Sequence, residues 1–120
     1  MQIKKIKPVR PSMREKKRYL VAEGILEGSQ KADAEDIKHE VIHSHKRMFG
    51  TYGLAKAGIM FLKGKNGRAI IRVNNKELDN LRTSISFITR ATAGRHKGRS
   101  MLVKSVGVSG TLKKAREKYL

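Results

Sequence analysis

Apolar residues come in short runs along this chain, and their spacing changes from run to run. YLVAEGIL is rich in strand formers and predicts a strand over residues 18–26. Gly24 interrupts it and marks an expected bulge. After the turn-like EGSQKAD, the period lengthens. Asp33 is placed to cap a helix running to about Phe49, with Glu35 and Asp36 near its positive end. Ile37, Val41, Ile42, Met48 and Phe49 form its expected buried stripe, and Gly50 ends it.

The runs AKAGIMFLKGK and RAIIRVN flank Asn66-Gly67, a strong short cue for a hairpin. A two-residue turn sets Lys65 opposite Arg68, and the pairing can be counted outward. Met60, Leu62 and Gly64 then share a face with Val73, Ile71 and Ala69. That face is apolar or glycine and should pack on helices. The other face carries Ile59, Phe61, Lys63 and Lys65 beside Asn74, Arg72, Ile70 and Arg68, which gives it the character of a working surface.

Asn74 or Asn75 caps a second helix, with Glu77 near its start and Leu78, Leu81, Ile85 and Ile88 as its buried stripe. Phe87 lies off that stripe. TAGRHKGRS reads as a basic loop, MLVKSVGVS as a fourth strand, and TLKKAREKYL as a short helix. Thr111 caps that helix, and Leu112, Ala115 and Tyr119 lie on one side of it. The order β-α-β-β-α-β plus a terminal helix predicts an α+β, ferredoxin-like or RRM-like sandwich. Its four-stranded antiparallel sheet would carry two helices on one face. The open face would be covered by the terminal helix or by a partner. Residues 1–13 hold both prolines and read as a basic flexible arm. Residues 14–120 read as a single ferredoxin-like RNA-binding domain.

Charge changes the picture most. The 120 residues hold 28 Lys and Arg against 10 Asp and Glu, a net +18. Such an excess repels itself unless a polyanion neutralises it, so nucleic acid is the expected partner. No long basic amphipathic helix is evident, and the longest apolar run is AGIMFL, so no membrane partner is expected. No apolar segment follows the basic N-terminus to make a secretory signal. There are no cysteines, so a disulfide framework or thiolate zinc site is not available. This fits a cytoplasmic location.

HEVIH, residues 39–43, matches the H-E-x-x-H zinc pattern. With Ile37 at zero and about 100° per residue, the expected buried side centres near about 80°. His39, Glu40 and His43 then all fall on the solvent side, with no clear third ligand elsewhere in the chain. A zinc hydrolase is thus the remote reading, and no catalytic or metal residue is assigned.

Candidate RNA contacts follow from the basic clusters. The N-terminal segment contributes Arg10. The outer hairpin face contributes Lys63, Lys65, Arg68 and Arg72, and the loop GRHKGRS contributes Arg95, Lys97 and Arg99. RNA-recognition domains stack bases on aromatics of the third strand, where this chain has Arg68, Ile70 and Arg72. Contacts to phosphates and RNA shape are expected instead. Ser109, Gly110 and Thr111 open the last helix, where free amides could hold a phosphate. The same residues also make an ordinary cap. Six of the ten acids lie between Glu23 and Glu40. This acidic island should face away from RNA, docking a protein or only balancing helix dipoles.

RPSMREKKRYL near the N-terminus, IIRV, and VGVSGTLKKAR near the C-terminus together resemble the Pop-five family of archaeal and eukaryotic ribonuclease P proteins. The resemblance spans about residues 8–118. It implies a ferredoxin-like fold and a non-catalytic subunit that binds ribonuclease P RNA. That RNA removes the 5′ leader from precursor tRNA, with Mg2+ at the RNA and no cofactor held by the protein. It further implies an Rpp-thirty-type partner and self-association to a homodimer within a heterotetramer. The matching positions are Arg14, Lys16, Lys17, Arg18 and Tyr19, then Arg72, then Ser109, Gly110, Thr111, Lys113, Lys114 and Arg116. Ala22 and Gly24 depart from the bulkier residues expected in the first strand. Composition alone equally admits another ferredoxin-like RNA binder, such as a ribosomal protein.

Overall fold

A computed structural model describes residues 16–120. The expected arm with its Arg10, and Arg14 just after it, lie outside the described residues. The order is β1 (Lys17–Leu26), β2 (Gln30–Lys31), α1 (Ala34–Ala57), β3 (Met60–Lys65), β4 (Arg68–Asn74), a 3₁₀ turn (Asn75–Glu77), α2 (Leu78–Ser86), β5 (Met101–Ser109) and α3 (Leu112–Tyr119). β1 is central. It pairs antiparallel with β4 on one side and β5 on the other, and β3 lies outside β4. The two-residue β2 pairs with the end of β1. The architecture is ferredoxin-like, as the sequence predicts, with one small extra strand.

Alternation along β1 and β4 divides the interior in two. Leu20, Ala22, Leu26, Ala69, Ile71 and Val73 face the helices and pack with Ile37, Val41, Leu81 and Ile85. Val21 and Ile70 face the other way and are equally buried, beneath Ala115 of α3. The terminal helix therefore covers the open sheet face.

Four expectations are corrected by backbone geometry. Gly24 pairs in register and carries no bulge. The register shift lies between Val21 and Ala22, where Val106 is the extra residue on β5. Gly24 is small because α1 packs close: an added Cβ would stand 2.8 Å from both Ala32 and Ile37. Second, the hairpin turn is as expected, with Asn66 and Gly67 both at positive φ and Lys65 opposite Arg68. Beyond it, however, Leu62 pairs with Ile70 and Phe61 with Ile71. One extra residue in β3 inverts its faces. Ile59 and Phe61 pack on the helix side, and Leu62 packs beneath α3.

Third, Gly50 breaks the helix at φ 75°, but a second helical segment continues to Ala57 and ends at left-handed Gly58. Fourth, neither Asp33 nor Asn74 caps a helix through its side chain. Asn74 instead donates to the Lys56 carbonyl and accepts from Lys17 Nζ. The free edge of β5 is shielded at its start, where Met101 N donates to Thr89 O and Arg90 bridges Ser100.

Candidate nucleic-acid interface

α3 is built to present cations. Thr111 Oγ1 accepts from Lys114 N at 3.2 Å, closing its first turn. Leu112, Ala115 and Tyr119 recur on one side and dock on Val21 and Ile70. Gly107 leaves room for the Tyr119 ring, which any side chain there would displace. With that side buried, Lys113, Lys114, Arg116 and Lys118 face solvent. Lys118 was not among the sequence candidates. Its signal is the spacing of four from Lys114.

Antiparallel pairing of Tyr19 with Ser109 brings the start of β1 to the start of this helix. Lys16, Lys17 and Arg18 thereby join Ser109, Thr111, Lys113 and Lys114 at one end of the sheet. Arg18 Nη1 lies 3.7 Å from the site of a Gly110 Cβ. Arg72 stands opposite Tyr19, its Nε buried without a hydrogen-bond partner among the described residues. Ser109 Oγ accepts from Thr111 N at 3.3 Å.

The loop is elsewhere. Arg99 Nη2 donates to Glu27 O at 2.9 Å, beyond the far end of β1. Eight residue steps along the strand, ~26 Å, separate Tyr19 from Glu27. Several expected contacts are already occupied. Arg95 pairs with Asp33 at 3.0 Å, and Arg99 also holds Gln30 Oε1 and His96 Nδ1. Arg68 pairs with Glu23 at 3.1 Å and donates to the Tyr119 carbonyl. Lys97 in the loop and Lys63 and Lys65 on edge strand β3 are exposed and have no ion pair among the described residues. Half of the acidic island is thus used internally: Glu23, Asp33 and Glu40 hold later basic or loop segments.

The HEVIH residues separate. His39 and His43 are exposed, with ring centroids 6.3 Å apart. Glu40 is turned the other way, 3 % exposed, contrary to the expectation that it faces solvent. It accepts from Thr92 N at 2.7 Å and Thr92 Oγ1 at 2.8 Å. The buried side of α1 runs through Ile37, Glu40, Val41, Ser44 and His45, so Ile42 lies off its centre, while Met48, in line with Val41 and Ser44, is 38 % exposed. Asp33, Asp36 and His96 offer ligand atoms within 4.8 Å of one another. Arg95 and Arg99 already hydrogen-bond two of these three. His45 is fully buried and bonds Ser84 Oγ at 2.7 Å. Burial pushes its pKa below the ordinary imidazole value, and the Gly53 backbone and Glu77 do not offset this.

Comparison with known proteins gives concordant results. A family model described as the Rpp14/Pop5 family matches residues 18–120. A Methanosarcina mazei protein named ribonuclease P protein component 2 is 35 % identical over 115 residues, covering 96 % of this chain and 93 % of that protein. A Thermococcus kodakarensis protein of the same name is 31 % identical over 112 residues, covering 92 % and 88 %. A chain of yeast ribonuclease MRP, seen by cryo-EM, shares the fold with a TM-score of 0.64 at 20 % identity. The match covers 83 % of this chain and 78 % of that one.

Proposed function

The chain belongs to the Rpp14/Pop5 family, and from that premise we propose that it is a protein subunit of ribonuclease P. In this reading it binds the catalytic RNA, takes no part in bond cleavage itself, and supports removal of the 5′ leader from precursor tRNA. The names of its relatives support the assignment. The observation that carries the RNA contact is the cationic end made by Lys16, Arg18, Lys113, Lys114 and Arg116. None of these has an ion-pair partner among the described residues. A phosphate meeting them displaces no carboxylate of the described residues, whereas one meeting Arg68 or Arg95 must. Contacts of this kind fix position and orientation rather than read bases. Mg2+ would belong to the RNA, where it supplies charge neutralisation and hydrolytic chemistry. An Rpp-thirty-type subunit and a second copy of this chain complete the proposed particle, in the cytoplasm.

The test is reconstitution of leader cleavage with ribonuclease P RNA and its other proteins, with and without this chain. Omission should lower cleavage, and unchanged cleavage refutes the reading. The triple substitution Lys113→Ala, Lys114→Ala, Arg116→Ala should weaken RNA binding about tenfold. It should also reduce the log–log salt slope by about 2–3, as three phosphate contacts require. An unchanged slope removes α3 from the interface.

A further inference from the structure

The helix layer, on the side of the sheet away from α3, carries a second surface of different character. Phe87 follows the last residue of α2 and is 65 % exposed, because its neighbours Ile85 and Ile88 take the inward positions. Across from it on α1, Met48 is 38 % exposed. The two stand at a groove of about 500 Å³ between α1 and residues 87–92, with Ile88 in its wall. Arg47, Arg90 and His43 also line it. The one acid in the wall, Glu40, is buried and held by Thr92.

We infer that this groove docks a different protein chain of the particle, through an apolar side chain flanked by Asp or Glu. The inference rests on the reading of this chain as a ribonucleoprotein subunit. Exposed aromatic, Met and Arg side chains at a concavity are the composition of protein–protein interface cores. Unlike the α3 surface, the rim is furnished by arginine, which pairs carboxylates in fixed geometry. A second copy is disfavoured by charge. A two-fold contact would bring Arg47, Arg90 and His43 of one copy onto the same side chains of the other, and the groove's one acid, Glu40, is buried and held by Thr92. RNA would satisfy the arginines but leave Met48 and Ile88 against a polar backbone.

Photo-crosslinking from position 87 in the assembled ribonucleoprotein decides the matter, using the full chain with p-benzoylphenylalanine in place of Phe87. The expected adduct is a peptide of another polypeptide, with an apolar residue beside Asp or Glu. An adduct to RNA, an adduct to a second copy, or no adduct overturns the inference. In parallel, Met48→Ser with Phe87→Ser should lower co-purification of that polypeptide about thirtyfold, with RNA affinity of the isolated chain within about twofold. Undiminished co-purification also overturns it. Recovery of ribonuclease P RNA with the unsubstituted chain tests the subunit reading separately, so the two failures can be told apart.

Discussion

Gly64 shows how much one residue decides. It sits at the β3 bulge with the Arg68 carbonyl where a methyl group would be. Gly64→Ala should destabilise the protein by about 2–4 kcal/mol, since backbone must move to admit the methyl. Gly28, at φ 82° with open space around its Cβ site, provides the comparison; Ala there should cost about 1–2 kcal/mol. Urea midpoints of the two variants check both values, and equal losses would show that the bulge tolerates a side chain. His45 predicts the pH response. Its pKa is lowered by burial in the folded state, so below the ordinary imidazole value of 6.5 the unfolded chain takes up a proton that the folded chain resists. Stability from this group is complete above 6.5 and is lost as pH falls below it. Thermal melts at pH 7.5 and 5.5 should show a drop that is smaller in His45→Gln; equal drops would assign the effect elsewhere. Glu40 was hidden from sequence reading because Ile42 and Phe49 drew the expected buried side toward the wrong angle, while polar Ser44 and His45, which mark the true side, were not counted. Its partner Thr92 lies 52 residues away.

Among the elements, those with a strong local signal were legible. β1, β4, β5 and α3 lie within a residue or two of their sequence bounds, because alternation, Asn-Gly and a Thr cap act locally. The facing of β3 was not legible, because a bulge leaves the apolar pattern intact while shifting its parity. The second segment of α1 was missed because Gly50 does end a helix, and only tertiary contacts show that another begins at once. α3 depends on docking, since eight residues alone do not hold a helix in water. Its Ala115 is fully buried against Val21 and Ile70. Ala115→Asp should therefore release α3, raising hydrogen exchange at residues 112–119 while β1 and β4 stay protected, and weakening RNA binding about tenfold. Continued protection of α3 would contradict the packing described.

At the scale of the molecule, charge pointed to the partner class but not to the layout. The sequence candidates include Lys63, Lys65, Arg68, Arg95, Lys97 and Arg99 beside those of the terminal helix. Folding gathers Lys16, Lys17, Arg18, Lys113 and Lys114 at one end and sends the 92–100 loop to the other. No local pattern reveals that Arg95 and Arg99 are committed to Asp33, Gln30 and Glu27. Those commitments arise from long-range packing of the acidic island.

Both outermost strands also depart from regularity. β3 carries its extra residue near Gly64, and β5 carries one at Val106 with its start shielded by Thr89 and Arg90. Lys63, Lys65 and Lys104 stand along these margins. Neither rim offers the straight, uncharged ladder that a neighbouring sheet needs for continuous stacking into fibrils. Crowding many molecules together, as neutralisation by a polyanion does, therefore leaves them separate particles rather than seeds of a polymer.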